Sequence, residues 1–403
     1  MREGETMPHH NSLEAGMGTK VVWAGEEEQR VHRATQVPVV VSVAYTYDDM
    51  DEWYDVAVGK KPGHIYGRNT NPTVQAFEDK VCALEGAEAA TSFSSGMAAI
   101  SNTLYTFLRP GDRVVSIKDT YGGTNKIFLE FLPAMNIEVT LCPTGDHEAI
   151  EAEIKKGCKV VYLETPTNPT VKITDIERVA GAGKAAGALV VVDNTFATPI
   201  NQNPLQLGAD LVLHSATKFL GGHADALGGV ACGSRELVEK VYHYREINGA
   251  SLDPWAAYLL LRGMKTLKLR VERQQQSAMA IAKYLQTKDA VAAVYYPGLE
   301  NHVNHDVAKK QMRGFGGMLS FALKGGMDAV GILLPKLKYA HRAANLGAVE
   351  TTYGPARTTS HVECTAEERK AMGIPDGLVR ISVGIEDVED LINDLEQAFK
   401  HLS

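Results

Sequence analysis

The sequence predicts an α/β architecture, a mostly parallel sheet covered by helices on both faces, followed by a smaller α+β carboxy-terminal domain. Between residues 113 and 232, apolar strand-like runs alternate with segments long enough for helical crossovers, the pattern of a parallel sheet buried on both sides. Near Gly263 the pattern changes to one long amphipathic helix and then well-separated strands. The chain has 403 residues, of which 44% are hydrophobic and 22% charged, a length natural for two domains with substantial cores.

Taken in order, residues 1–35 are polar, with a helical pattern near 20–24 and nothing that suggests chemistry. Disorder is the plain expectation for the start of this tail, including His9-His10; resting on a partner subunit is the other. Residues 37–45 form an extended β-branched run, and the acidic stretch 48–55 follows. A solvated acidic helix is the simple reading of 48–55, and an electrostatic lure for a cationic substrate is the sharper one. Asn71-Pro72 starts a helix, with a capping side chain and a proline at the first helical position. Val74, Phe77, Val81 and Leu84 recur on one face and Gly86 ends the helix. A short strand at 90–93 runs through Ser94-Ser-Gly-Met97 into an apolar helix, 98–108. Strands are predicted at 113–117, 137–142, 159–164, 188–193, 210–214 and 229–232. Beyond Gly263 come a helix at 266–285 and strands at 291–296, 318–323 and 378–383.

Several function classes lose support at once. The net charge of -8 argues against nucleic-acid and anionic-membrane partners. No apolar run reaches the roughly 18 residues of a membrane span, and the polar amino terminus lacks a secretory pattern, so a cytoplasmic enzyme is expected. The five cysteines are scattered without a C-x-x-C pair and read as reduced thiols, not disulfides or zinc ligands. His302 and His305 read as a solvated pair, and no metal site is expected. Neither G-x-G-x-x-G after a strand nor G-x-x-x-x-G-K-[ST] occurs, which disfavours nicotinamide and nucleotide-triphosphate chemistry.

The chemistry concentrates at strand ends, where open α/β sheets bind ligands. The strand at 210–214 delivers Ser215, Thr217 and Lys218, and the chain then breaks at Gly221-Gly222. A lysine just past a buried strand is held partly as the neutral amine and can attack a carbonyl; a solvated loop lysine is the bland alternative. Ser95, Gly96 and Met97 open a helix after a small-residue turn, so free N–H groups and the helix dipole converge on an anion. Asp193 ends an apolar run and needs a cationic partner, for which a protonated heterocycle nitrogen would serve. Tyr121 follows the strand at 113–117, and Glu164 and Asn168 follow that at 159–164. Arg380 lies inside an apolar strand, where a substrate carboxylate or a structural ion pair would match it. Tyr66 and Arg68 sit in a loop; alone, Arg68 reads as a surface residue. A phosphate cradle, a stacking ring, a pyridinium-directed acid and a Schiff-base lysine together point to pyridoxal 5'-phosphate.

The stretches Tyr66-Gly-Arg68, Ser94-Ser-Gly-Met97, Tyr121-Gly-Gly-Thr124, Glu164-Thr-Pro-Thr-Asn-Pro169, Val192-Asp-Asn-Thr-Phe196, His214-Ser-Ala-Thr-Lys218 and Leu378-Val-Arg-Ile-Ser-Val-Gly384 jointly resemble the Cys/Met-metabolism family of pyridoxal-phosphate enzymes. That family includes cystathionine γ-synthase, cystathionine γ-lyase, methionine γ-lyase and the O-acylhomoserine sulfhydrylases. The resemblance implies an aspartate-aminotransferase-like (type I) fold and a homotetramer, a dimer of dimers with shared active sites. It implies an amino-terminal arm, 1–69, reaching a neighbouring subunit, a cofactor domain, 70–263, and a substrate-carboxylate domain, 264–403. It makes Lys218 and Tyr121 catalytic. It assigns the cofactor to Tyr66, Arg68, Ser95, Gly96, Met97, Tyr121, Asn168, Asp193, Ser215, Thr217 and Lys218, and the substrate to Asn345 and Arg380.

The implied reaction is γ-elimination or γ-replacement on a homoserine-derived L-amino acid. Gly123 stands where methionine γ-lyases usually carry cysteine, and Ala344-Asn-Leu-Gly347 stands where cystathionine enzymes usually have Glu-Ser-Leu-Gly. Asn345, with Thr351-Thr352 and Thr358-Thr359 following, is similar to O-acylhomoserine sulfhydrylases, and the expectation leans that way. Against that, Gly354 replaces a histidine and Arg357 is unusual. The alternatives are a γ-lyase, either methionine-type or acting on an oxygen-linked analogue such as canavanine, a cystathionine γ-synthase, and a non-catalytic member of the family.

Overall fold

The computed structural model describes residues 15–26, 28–359, 362, 365, 367, 369 and 373–402. The start of the tail with His9-His10, and Cys364, lie outside the described residues.

The larger sheet contains β1 (Ala89–Phe93), β2 (Arg113–Ile117), β3 (Glu138–Cys142), β4 (Val160–Glu164), β5 (Leu189–Asp193), β6 (Leu211–Ser215) and β7 (Gly229–Gly233), in spatial order β1-β7-β6-β5-β4-β2-β3. β2 through β6 pair in parallel, whereas β7 is antiparallel to both β6 and β1. β7 alone is therefore reversed, and β1 points the same way as β2–β6. The carboxyl ends of β1, β2, β4, β5 and β6 consequently meet along one edge, with the start of β7 beside them. The predicted strands all form, with ends shifted by a residue or so. A mostly parallel sheet follows because its strands are apolar on both faces.

Alternation along the strands assigns the helices. Val212, Val230 and Cys232 face the helix Pro72–Glu85 through Val74, Phe77, Val81 and Leu84. Val161, Val190 and Val192 continue that face against the helices His147–Lys155 and Ile176–Ala185. Leu211, Leu213, Val191 and Tyr162 project to the other face, where the helices Gly96–Phe107 and Arg235–Asn248 pack. Odd and even strand positions thus enter different cores, which forbids a one-residue register slip.

The local signals act as read. Asn71 Oδ1 accepts the N–H groups of Thr73 and Val74 at 2.9 and 3.3 Å, and Gly86 closes the helix at φ +72°. The helical pattern near residue 20 is the helix Met17–Trp23. The acidic stretch is the helix Met50–Ala57, capped by Asp49, with its acids exposed except Asp55, which lies near Lys60 and Lys61 at 3.7 and 3.8 Å.

The carboxy-terminal part has a second sheet, β8 (Val291–Tyr295), β9 (Met318–Leu323), β10 (His341–Arg342), β11 (Thr352–Pro355) and β12 (Leu378–Ser382), ordered β10-β11-β12-β9-β8. Its pairings are antiparallel except β10 with β11, and the long helix Leu267–Gln286 and the final helix Val388–Phe399 cover it. The solvated reading of His302 is corrected here. The residue is 8% exposed, its Nε2 lies 2.9 Å from the Val171 carbonyl oxygen, and burial holds its pKa down at about 4. A polar loop sequence concealed it because the loop packs against the segment after β4, at Val171 and Ile173. Among the described residues, no helix is long and apolar enough to cross a membrane, and no group of three or more His, Cys, Asp or Glu side chains could hold a metal ion.

Candidate active site

The shared edge of the larger sheet opens into a cavity of about 230 Å³. Its walls include Ser95, Gly96 and Met97 after β1, Tyr121 after β2, Glu164 and Asn168 from β4, Asp193 from β5, and Ser215, Thr217 and Lys218 from β6. Ala344, Leu346, Thr359 and Arg380 close it from the second sheet. Residues hundreds of positions apart converge because parallel strands end together.

Lys218 is half-buried at the centre. Its Nζ donates to Asn345 Oδ1 at 3.0 Å, and among the described residues no carboxylate forms an ion pair with it. Burial, with a smaller push from the Arg380 cation, lowers its pKa from 10.5 to about 8. A large fraction of the amine is therefore neutral at moderately alkaline pH and able to attack a carbonyl.

Asp193 is 7% exposed, and the described hydrogen bonds to it come from neutral donors, among them the Thr195 N–H at 3.0 Å and, more weakly, the Tyr162 hydroxyl at 3.4 Å. Burial raises its carboxyl pKa above the usual range. Glu164 sits opposite it in the β4–β5 register and is raised well above its ordinary value, first by burial and then by the Asp193 charge. Two adjacent buried carboxyls resist joint ionisation, so the edge asks for a cation. A protonated ring nitrogen against Asp193 meets that demand.

The anion cradle rests on close main-chain approach. Ser95 caps the helix Gly96–Phe107 by accepting the Ala98 N–H at 3.1 Å, which leaves its own hydroxyl proton free to donate. A Cβ on Gly96 would lie 2.6 Å from Ser215 Cβ, and one on Gly229 would lie 2.1 Å from the Ser95 carbonyl oxygen. Both glycines therefore let β1, β6 and β7 close around one helix amino terminus. The donor set, the unpartnered acid and the depressed lysine fit pyridoxal phosphate.

Five of the expected residues have these partners within the chain. Thr217 Oγ1 is tied to the Gly228 backbone, 3.0 Å from its N and 3.2 Å from its O, so it lines the cavity while already bonded. Asn168, expected on the cofactor, accepts Arg380 Nη1 on its Oδ1 at 3.2 Å. Asn345 serves Lys218 with its side chain and Arg380 Nη2 with its carbonyl, the latter at 3.1 Å. Tyr66 and Arg68 lie outside the cavity. Arg68 stacks 5.7 Å from the Tyr66 ring and donates to the Glu246 carbonyl, and Tyr66 is 44% exposed.

Arg380 is buried, yet its described bonds go to neutral oxygens of Asn168 and Asn345, and burial lowers its pKa to about 10. It is a guanidinium aimed into the cavity in want of an anion. Thr195 and Tyr162 received no role from the sequence. Thr195 joins β5 to β6 by accepting the Ser215 N–H at 2.8 Å. A tyrosine inside the apolar β4 run was the available signal for Tyr162, since a buried phenol needs a partner.

Comparison with known proteins agrees with this geometry. The family model "Cys/Met metabolism PLP-dependent enzyme" matches residues 18–400. An L-methionine γ-lyase of Fusobacterium nucleatum subsp. polymorphum is 42% identical over 390 residues, 96% of this chain and 98% of that protein. A cystathionine γ-lyase of Bacillus subtilis is 47% identical over 357 residues, 87% of this chain and 93% of its own. A crystal structure of cystathionine γ-synthase from Xanthomonas oryzae pv. oryzae, in complex with aminoacrylate and cysteine, superposes with a TM-score of 0.91 at 37% identity, covering 96% of this chain and 98% of that one.

Proposed function

The chain belongs to the Cys/Met-metabolism PLP-dependent enzymes, of γ-lyase or γ-synthase type, and on that premise we propose that it is a γ-lyase, eliminating the γ-substituent of an L-amino acid. The observation that carries this reading is the cavity wall. Among the described lining residues the only cations are Lys218 and Arg380, and Met97, Ile100, Phe196, Leu227 and Leu346 supply apolar surface. With Arg380 holding the α-carboxylate, no second described cation there waits for a distal carboxylate. That favours a methionine-type substituent.

The features that favoured a sulfhydrylase have other duties. Asn345 is bonded to Lys218 and Arg380. Thr351 Oγ1 donates to Glu386 at 2.8 Å, Thr352 Oγ1 donates to the Asn345 carbonyl at 3.2 Å, and Thr358 and Thr359 both donate to the Pro355 carbonyl. These bonds explain the residues by packing, without a thiol. A second reading rests on the exposed acids of the helix Met50–Ala57 and takes a cationic, oxygen-linked analogue such as canavanine.

In this proposal Ser95, Gly96, Met97 and Ser215 receive the cofactor phosphate, joined by Thr217 when its hydroxyl proton turns from the Gly228 carbonyl, Asp193 accepts the ring N–H, and Lys218 is the covalent anchor. Pyridoxal phosphate, once bound, supplies the electron sink for the pair left at the substrate α-carbon. Arg380 fixes the α-carboxylate, with Asn168 and Asn345 orienting its fork. Lys218, free as an amine, would take the Cα proton and then a Cβ proton, and the pair left at Cβ would expel the γ-substituent. Tyr121 covers the ring and offers its hydroxyl proton to the departing γ-group. Residues 1–69 form an arm toward a neighbouring subunit, 70–263 the cofactor domain and 264–403 the substrate-carboxylate domain. Tyr66 and Arg68 serve the neighbour's site in a homotetramer.

The test is a panel of methionine, cystathionine, O-acetylhomoserine, O-succinylhomoserine and canavanine, each with and without sulfide. The expected result is 2-oxobutyrate without added thiol, fastest with methionine. A new thiol amino acid formed only with sulfide would make it a sulfhydrylase, and homoserine as sole product would make water the nucleophile.

A further inference from the structure

Glu164 has no place in the chemistry above, yet it lines the cavity, is 5% exposed and uses both carboxylate oxygens. Oε2 accepts the Tyr121 N–H at 2.8 Å, and Oε1 accepts the Asn168 N–H at 3.2 Å. These two backbone positions carry the ring that covers the cofactor and the amide that accepts Arg380 Nη1. One side chain on a rigid strand end therefore spans two loops, the one after β2 and the one after β4.

We propose that Glu164 is a positioning residue that sets the Tyr121 ring and the Asn168–Arg380 pair relative to each other, so that cofactor cover and substrate-carboxylate grip are fixed by one carboxylate. The inference rests on the proposed cofactor site. Glu164 touches neither the cofactor nor the substrate in this role. It acts through backbone N–H groups, which no substitution at positions 121 or 168 other than proline can remove.

The chemistry of the pair of bonds makes the role separable from charge. Glutamine keeps one acceptor oxygen but turns an NH₂ donor toward the second N–H, so one bond is lost. Aspartate keeps the carboxyl group but is one methylene shorter, and from β4 it cannot reach both loops at once. A shift of either loop by a fraction of an ångström moves groups that must meet the reacting atoms, and misplacement on that scale lowers rate by up to about 10²-fold.

The experiment uses full-length wild type, Glu164→Gln and Glu164→Asp, each loaded with pyridoxal phosphate. It measures the circular dichroism of the cofactor absorption band, then kcat and KM on the substrate that serves wild type best. Cofactor absorbance of the wild type is recorded first; its absence would end the cofactor-site reading itself, independently of Glu164. With it present, both variants are expected to stay folded, to change the cofactor dichroism, to raise KM and to lower kcat, with kcat/KM falling about 10- to 100-fold. Either folded variant with wild-type dichroism, kcat and KM overturns the proposal. So does a normal Glu164→Asp beside an impaired Glu164→Gln, which would assign the residue to its carboxyl group and not to its reach, and so does loss of the fold in both, which would make it merely structural.

Discussion

At the scale of single residues the site is a set of unmet demands: a depressed lysine, and an acid and an arginine whose described hydrogen bonds go only to neutral groups. The lysine has a directional consequence. Its pKa is lowered to about 8, so the neutral amine accumulates up to that pH and not far beyond it. The rate at which cofactor-free protein captures pyridoxal phosphate should climb about tenfold per pH unit below that value and level off above it. A stopped-flow absorbance series from pH 6 to 10 checks this, and a climb continuing past pH 9.5 would mean an ordinary lysine. Stability follows the same sign: below about pH 8 the folded chain carries a buried charge that the unfolded chain solvates, so this residue's destabilising contribution fades as pH rises through 8 toward 10.5. Asp193→Ala should weaken cofactor retention by about 10²-fold, the scale of breaking a buried charge pair, measured by equilibrium dialysis. Lys218, Asp193 and Ser95 were legible in sequence because a polar residue after an apolar strand stands out. The partners of Asn168 and Thr217 were not, because side-chain direction after a turn depends on packing across the sheet.

At the scale of elements, the cradle depends on how closely strands cross. Gly229→Ala would place a methyl 2.1 Å from the Ser95 carbonyl, so β7 or the turn after β1 must move. The expected result is a loss of about 1–3 kcal/mol in chemical denaturation together with weaker cofactor binding. Asn71→Ala removes a helix cap that also donates to the Val40 carbonyl at 2.7 Å. It should cost about 1–2 kcal/mol while leaving cofactor absorbance per folded molecule unchanged. The cap and the strand runs were readable from local rules. That β7 alone is reversed was not, since a reversed central strand in a covered sheet is as apolar as its neighbours. Nor did the sequence reveal that Glu164 joins two loops, because backbone N–H groups leave no mark on composition.

At the scale of the whole molecule, the proposed sharing of sites between subunits would give the outlying Tyr66 and Arg68 a purpose. They sit beside exposed apolar side chains, Val41 at 60%, Val43 at 58% and Trp255 at 58%, a surface suited to a neighbouring subunit. If sites are shared, Arg68→Ala and Lys218→Ala, each inactive alone, should regain activity when unfolded together and refolded as a mixture. No regain would mean that each chain completes its own site. The central claim, that Lys218 anchors pyridoxal phosphate at this edge, is tested most directly by borohydride reduction of the loaded protein followed by peptide mass spectrometry. The account predicts a yellow protein that bleaches on reduction, with the pyridoxyl mass on the peptide containing Lys218. A colourless protein, or the label on another lysine such as buried Lys80, also lowered to about 8, would contradict it.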